Sequence, residues 1–146
     1  MPETIVFDEI NKPSTSKKKE IVDFLFDHLE QYGDPKEDIG KAIDYAVKAH
    51  TSFGGFTLVL QDHDEIRGVV VMNQTGMGGY IPENILVYIA THKDHRGTGL
   101  GKKLMSKAIE VSKGDIALHV EANNPAQHLY SKLGFTNPYL EMRLKK

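Results

Sequence analysis

The sequence Arg-Gly-Thr-Gly-Leu-Gly at residues 96–101 is the part of this chain whose residue types and spacing best suit chemistry. Glycines at every second position allow a tight turn and leave backbone N–H groups uncovered. An apolar run at residues 85–91 precedes it and an amphipathic run at residues 100–113 follows it, which predicts a strand, a loop and a helix. The N–H groups would then converge at a helix N-terminus, where the helix dipole favours anions. The segment therefore predicts a site for a phosphate or a pyrophosphate.

The charge near this glycine loop supports an anionic ligand. The chain as a whole has a net charge of −2, which argues against nucleic acid as a partner because such proteins present a basic face. Between residues 92 and 107, however, five Lys and Arg residues occur with one acid, Asp94. This local excess places a positive field where the loop is predicted.

Two familiar glycine motifs fit the loop poorly. A dinucleotide-binding fingerprint needs a third glycine where Lys102 stands, and the 45 residues after the loop are too few for a second nucleotide-binding half. A P-loop needs Ser or Thr where Lys103 stands and a glycine where Arg96 stands. Both assignments are disfavoured.

The helices that must position the loop show clear start and stop signals. Apolar residues at helical spacing from Ile21 to Leu29 predict a first helix that ends at Gly33. Asp34, Pro35 and Glu37 predict the start of a second helix, with Asp34 as N-cap and Glu37 completing a capping box. A third helix is predicted at residues 100–113. A short fourth helix should begin at Asn124, with Asn124 as N-cap.

The strands complete a mixed α/β domain. They are predicted at residues 4–10, 56–61, 66–73, 85–91, 116–122 and 139–144. The polar residues 62–65 predict a hairpin turn between the second and third strands. The order β-α-α-β-β-β-α-β-α-β shows no repeat or linker, so one domain is predicted over residues 1–146.

Composition limits the chemistry and the expected location. The chain has no cysteine, which excludes disulfides, a thiolate nucleophile and a cysteine-ligated metal. His92 and His95 are close in sequence but lack a third ligand, so no metal site is predicted. No signal pattern or membrane-length apolar run occurs, so we expect a cytoplasmic protein with no membrane partner.

Two motifs together identify a family resemblance. Arg96, Gly99 and Gly101 form the pattern Arg-x-x-Gly-x-Gly, and residues 123–135 form Asn-x-x-Ala-x-x-x-Tyr-x-x-x-Gly-Phe. In this order, with a predicted strand between them, they resemble the GNAT superfamily of acetyl-CoA-dependent N-acetyltransferases. The resemblance implies a single GNAT domain whose mixed, mostly antiparallel sheet carries helices on both faces.

The resemblance also implies roles for individual residues. The loop backbone would wrap the pyrophosphate of coenzyme A, which involves Arg96, Gly97, Thr98, Gly99, Leu100, Gly101 and Lys102. A splayed central strand would hydrogen-bond the pantetheine arm through the backbone of Ile89, Ala90 and Thr91. Tyr130 matches the tyrosine that protonates the departing thiolate, and Asn123 matches an asparagine that contacts coenzyme A.

The general base for the amine is less defined. Family members often carry a carboxylate on or before the central strand, and Glu83 stands just ahead of it. Strand alternation would place Glu83 on one face with Ile85, Val87 and Ile89. Glu121 and His119 are alternatives, and a water relay is equally compatible. Tyr80 and Tyr88 would line the acceptor site or pack in the core.

The implied activity is direct transfer of an acetyl group from acetyl-CoA to an amine. No covalent enzyme intermediate is expected, because the chain has no cysteine and no evident activated serine. The acceptor stays open between a small amine, an amino acid and a protein N-terminus, and residues 20–55 and 75–82 would select it. A non-catalytic acyl-CoA-binding or sensing module on the same fold is the alternative, and a homodimer is compatible with the resemblance.

Overall fold

One five-stranded sheet organises the protein, which is described over residues 2–146 by a computed structural model. The strands lie in chain order: β1 (Glu3–Phe7), β2 (Gly55–Asp62), β3 (Glu65–Gln74), β4 (Asn84–Thr91) and β5 (Ile116–Leu118). The first four pair antiparallel, and β5 pairs parallel to β4. The predicted mixed, mostly antiparallel sheet is confirmed.

The predicted hairpin between β2 and β3 is also present. Its turn residues His63 and Asp64 have φ of 52° and 64°. Two consecutive positive φ values match the twist of two-residue hairpin turns, so this polar segment closes the hairpin as predicted.

Four helices cover the two faces of the sheet: α1 (Thr15–Leu29), α2 (Lys36–Ala46), α3 (Leu100–Val111) and α4 (Gln127–Lys132). A 3₁₀ turn at Glu30–Tyr32 links α1 to α2. Helix α1 begins where the Ser14 hydroxyl accepts a hydrogen bond from the backbone N–H of Lys17 at 3.1 Å. The predicted first helix is therefore observed, and the 3₁₀ turn carries the chain from its last residue to Gly33.

The core has one apolar cluster on each face. Helices α1 and α2 contribute Ile21, Leu25, Ile39 and Ile43 to the first cluster, all fully buried. Helix α3 contributes Leu104, Met105 and Ala108 to the second cluster, which α4 completes. A glycine in β3 permits this close packing, because a Cβ on Gly68 would lie 2.2 Å from Cδ1 of Leu104.

Strand β4 contains a bulge that the sequence pattern did not reveal. Tyr88 lies opposite Val71 while Leu86 lies opposite the adjacent Met72, so Val87 is an extra residue in β4. A bulge changes which face the following side chains occupy. Val87 packs with the α1/α2 cluster and Ile89 with the α3/α4 cluster. The prediction that these two residues share a face is therefore wrong.

The same point in β4 is where its second neighbour ends. Strand β5 pairs with β4 only from Asn84 to Leu86. The predicted strand at residues 116–122 is therefore shorter. Within the described residues 2–146, β4 pairs only with β3 from Val87 onward. The sheet opens at this edge.

The predicted closing strand at residues 139–144 is not formed. This segment has no regular secondary structure, and Tyr139, Leu140, Met142 and Leu144 are each at least 85% exposed. Alternating apolar residues specify which face of a strand would be buried, but a strand also needs a neighbouring edge with which to pair. The final element of the predicted order is thus absent from residues 2–146.

Neither predicted helix N-cap is formed. The N-cap of α4 is Ala126 and no side chain caps this helix, so the prediction of Asn124 as its N-cap is wrong. Asn124 Oδ1 instead accepts a hydrogen bond from the N–H of Ala126 at 2.9 Å in the turn before α4. The predicted capping box at α2 is wrong, because its N-cap is Pro35 and no side chain caps the helix. The Asp34 carboxylate instead accepts a hydrogen bond from the Tyr88 hydroxyl.

Candidate active site

The glycine loop adopts the backbone conformation that its residues favour. Gly97 and Gly99 have φ of 81° and 84°, values that side chains bearing a Cβ seldom adopt. A Cβ at either position would meet no atom within 4 Å, so the space beside the loop is open. Glycine is thus needed for backbone geometry, and its absent side chain leaves the loop accessible to a ligand.

Helix α3 begins directly at this loop with its first N–H groups free. Gly99 is the N-cap without a side-chain cap, and the first turn carries no acid. The N–H of Lys103 is the first to bond within the helix, to the Gly99 carbonyl at 3.1 Å. The three preceding N–H groups have no acceptor in the described part of the chain, and they lie next to the exposed side chains of Lys102 and Lys103. Such a helix N-terminus suits a phosphate.

The Arg96 side chain is bonded to the end of α1. Its guanidinium donates to Glu30 Oε1 at 2.9 Å and to the backbone carbonyl of His28 at 2.7 Å. The neighbouring Thr98 hydroxyl donates to the His95 carbonyl at 2.6 Å. These bonds attach the loop to the end of α1, so its backbone, more than these two side chains, is free to contact an anion.

Three histidines lie beside this attachment, a cluster that sequence spacing did not reveal. The rings of His28 and His92 are 4.3 Å apart between centroids, and those of His92 and His95 are 5.1 Å apart. Burial lowers the pKa of His28, and the charges of His92, Lys93 and Arg96 act in the same direction. Within residues 2–146 no group of three or more His, Asp and Glu side chains is arranged to hold a metal.

The open edge of β4 runs toward this loop. Ile89, Ala90 and Thr91 lie on the half of the strand that only β3 borders. In a strand paired on one side, every second residue directs its N–H and C=O to the free edge. These groups can bond an extended ligand as an added strand would.

Tyr130 lies on the α3/α4 side of the sheet. A Cβ at Gly101 would lie 3.3 Å from Cδ2 of Leu129, which shows that α4 packs on the first turn of α3. Tyr130 is 7% exposed, and its ring is 5.8 Å from that of Phe135. Burial raises the pKa of Tyr130 to about 12, and its hydroxyl has no hydrogen-bond partner within residues 2–146. The hydroxyl is therefore protonated and able to donate.

Asn123 is exposed between β5 and α4, and its backbone joins another part of the site. Its carbonyl accepts a hydrogen bond from the Tyr32 hydroxyl at 3.3 Å. This bond brings the turn after α1 next to the segment after β5. The two segments are 91 residues apart in sequence, so no local pattern could have revealed the contact.

Glu83 occupies a braced position at the other end of β4. Its Oε1 accepts a hydrogen bond from the N–H of Asp115 at 2.6 Å, and backbone donors of this kind lower the pKa of the Glu83 carboxyl. Cβ atoms at Gly78 and Gly114 would lie only 3.0 and 2.5 Å from its carboxylate oxygens. At about 3.3 Å per strand residue, Glu83 is on the order of 26 Å from Thr91. Its role as a general base stays a prediction.

The other two candidate bases and the two tyrosines are placed differently. His119 and Glu121 are exposed and follow the end of β5. Tyr80 is 78% exposed in the loop before β4, whereas Tyr88 is 8% exposed within the α1/α2 cluster. Its hydroxyl donates to Asp34 Oδ2 at 2.5 Å. Local sequence signals predict only a helix cap for Asp34, so they do not reveal this pair.

Comparisons with known proteins agree with this fold. Residues 53–137 match the family described as "Acetyltransferase (GNAT) domain". N-alpha-acetyltransferase 30 of Schizosaccharomyces pombe is 31% identical over 85 residues, which are 55% of this chain and 57% of that protein. The chain thus spans little more than half the length of this curated relative.

Solved structures show the same fold at low identity. A GNAT family acetyltransferase from Staphylococcus aureus has a TM-score of 0.68 at 20% identity, with 99% of this chain and 98% of that chain covered. A ribosomal-protein-alanine N-acetyltransferase from Brucella melitensis has a TM-score of 0.66 at 16% identity, with full coverage of both. No helix within residues 2–146 combines the length and apolarity required to span a membrane. With more than half of its residues matching the family description, the chain belongs to the GNAT family of acetyltransferases.

Proposed function

We propose that this protein transfers an acetyl group from acetyl-CoA to an amine by direct attack in a ternary complex. The observation that carries the proposal is that three features lie close to the second half of β4. The edge of β4 is unpaired from Val87, helix α3 starts uncapped beside it, and Tyr130 lies on the helix that packs on α3.

Coenzyme A fits the residues that are present. The free N–H groups of the loop and of the first turn of α3 would hold the pyrophosphate, with Lys102 adding positive charge. The backbone of Ile89, Ala90 and Thr91 would bond the pantetheine arm along the open edge of β4. Asn123 would contact the same ligand from the segment before α4. When bound, acetyl-CoA supplies the thioester whose acetyl group is transferred.

In the proposed reaction, Tyr130 donates one proton and is reprotonated through solvent. The neutral amine attacks the thioester carbonyl, and backbone N–H groups of β4 stabilise the oxyanion. The nitrogen then loses a proton as the carbon–sulfur bond breaks. Tyr130 donates its hydroxyl proton to the departing sulfur, and the released proton restores the phenol through water. The products are an amide and the free thiol of coenzyme A.

Small amines and protein N-termini are both proposed as acceptors. The name of the Schizosaccharomyces pombe relative refers to an α-amine, and that of the Brucella structure to alanine of a ribosomal protein. These names support inclusion of peptides in the first acceptor screen. We further propose that residues 1–146 act as one acetyltransferase domain.

A thiol-release assay tests the proposal directly. Purified protein with acetyl-CoA is mixed with alkylamines, aromatic amines and peptides that have a free α-amino group, and coenzyme A release is followed over time. We expect acetylated product, confirmed by mass spectrometry, with at least one amine. Binding of coenzyme A without transfer to any amine would contradict catalysis and favour an acyl-CoA-binding module.

A further inference from the structure

We propose that the carboxylate of Asp34, held in place by the Tyr88 hydroxyl, binds the ammonium group of the acceptor amine. The inference rests on the proposed function and assigns one group within it. In this assignment Asp34 is an amine-binding residue and Tyr88 is a positioning residue.

Tyr88 is placed by the bulge in β4. It follows the extra residue Val87 directly and lies two residues beyond Leu86, the last position that β5 borders. The bulge turns Tyr88 toward the α1/α2 face, where it is 8% exposed. The Tyr88 hydroxyl therefore emerges on the face opposite Tyr130, beside the part of β4 with the open edge.

Asp34 reaches that position from the connection between α1 and α2. Two residues earlier, the Tyr32 hydroxyl bonds the Asn123 carbonyl beyond β5, while Asp34 Oδ2 accepts from Tyr88 on β4 at 2.5 Å. Side chains of residues 32–34 thus contact both β4 and the segment beyond β5. The proposed amine site lies beside this segment, on the α1/α2 face.

Among residues 2–146, the Asp34 carboxylate accepts no hydrogen bond other than that from Tyr88. It caps no helix, and the nearby Lys36 pairs with Asp23 at 3.0 Å. Within residues 2–146 its second oxygen, Oδ1, makes no hydrogen bond, and Asp34 is exposed. A single accessible carboxylate oxygen next to a closed apolar cluster suits one cationic donor group.

Tyr88 keeps this carboxylate oriented under all ordinary conditions. Burial, and then the hydrogen bond to Asp34, raise the pKa of the Tyr88 hydroxyl far above neutrality. The hydroxyl therefore remains a donor, and the carboxylate remains an acceptor with one lone-pair direction fixed. An ammonium group bound at Oδ1 loses one proton to water while it stays bound. One of the remaining N–H groups of the amine then donates to the Asp34 carboxylate.

The conservative variants Asp34→Asn and Tyr88→Phe test the assignment. The probes are hexylamine and a tetrapeptide amide with a free α-amino group, both cationic at pH 7.5, and para-anisidine, which is uncharged there. In Asp34→Asn we expect the KM for hexylamine and the peptide to rise at least tenfold, with the KM for acetyl-CoA within twofold. Tyr88→Phe should raise the amine KM severalfold. Neither variant should change the KM for para-anisidine more than twofold.

Glu37→Gln is the matched control, because it removes a neighbouring exposed acid that forms only a 3.9 Å pair with Lys41. Circular dichroism and Tm verify that each variant is folded. An unchanged amine KM in Asp34→Asn, or an equal loss with para-anisidine, would overturn the inference while transfer itself survives. If the wild type acetylates only para-anisidine, the assignment is again wrong. If it acetylates no amine, the proposed function fails first.

Discussion

The two halves of β4 have different neighbours although they belong to one continuous strand. Asn84 to Leu86 lie between β3 and β5, and the Asn84 side chain donates to the carbonyls of Lys113 and Asp115 at 2.8 and 3.2 Å. Val87 to Thr91 lie beside β3 alone. The first half anchors the sheet, and the second half leaves backbone groups for a ligand.

Two carboxylates beside β4 differ in the same way. Glu83 adjoins β4 in sequence, yet its carboxylate is bonded to the backbone beside β5. Asp34 is 54 residues from Tyr88 in sequence, yet its carboxylate accepts a hydrogen bond from Tyr88 in the second half of β4. Proximity in sequence therefore does not decide which carboxylate contacts the later half of β4, and substitutions can separate the two halves.

The largest effect is expected from Tyr130→Phe, which changes a residue of α4. Loss of the hydroxyl removes the proton donor, and general acid catalysis is worth about 100-fold or more. We expect kcat to fall by about that factor. Coenzyme A affinity, measured by calorimetry, should stay within twofold because the ring still packs against Phe135. Tyr139→Phe makes the same chemical change at an exposed residue and should have no effect. An unchanged kcat in Tyr130→Phe would remove Tyr130 from the mechanism.

The next largest effect is expected from Gly99→Ala. A Cβ is strained at its φ of 84° by about 1–3 kcal/mol, and it would project into the open space beside the loop. We expect the Kd for coenzyme A to rise at least tenfold. Gly79→Ala is the control, because Gly79 has a φ of 98° and equally open surroundings away from α3. Both variants should lose some Tm. Equal coenzyme A affinity in the two would contradict the anion site.

A smaller effect, on stability alone, is expected from substitutions of Glu83, the residue just before β4. Glu83→Ala leaves the Asp115 N–H without its acceptor and should lower Tm by a few degrees. Glu83→Gln retains a side-chain oxygen and should lower Tm less. Turnover at a temperature where both variants are folded should stay within twofold of wild type. A large loss of kcat in Glu83→Gln with a normal Tm would support Glu83 as the general base.

The smallest expected effect is that of alkaline pH, at which the activity should not fall. Burial favours the neutral form of Tyr130, so its raised pKa of about 12 keeps the proton in place well above pH 7. Turnover should rise as the amine deprotonates and should not decline between pH 7 and 10. The profile is measured at saturating acetyl-CoA, with circular dichroism at each pH. A falling limb near pH 9 in folded protein would mean that a more acidic group donates the proton.

Local signals predicted most elements of the fold. The helical stripe from Ile21 to Leu29 and the turn at residues 62–65 form as expected, because each depends on neighbours within a few residues. The tail at residues 139–144 has the alternation of a strand but remains exposed. Strand formation depends on a partner edge, and alternation carries no information about that edge.

The sequence by itself determined the glycine loop at a strand–helix junction, because positive φ at Gly97 and Gly99 and the uncapped start of α3 are local backbone properties. The tertiary structure alone decided what lies beside that loop. The bulge at Val87 depends on register with β3, and the Asp34–Tyr88 bond depends on how α1 and α2 pack on the sheet. Residues far apart in sequence meet only after the core is assembled, so the acid beside the open edge could be found only in the folded chain.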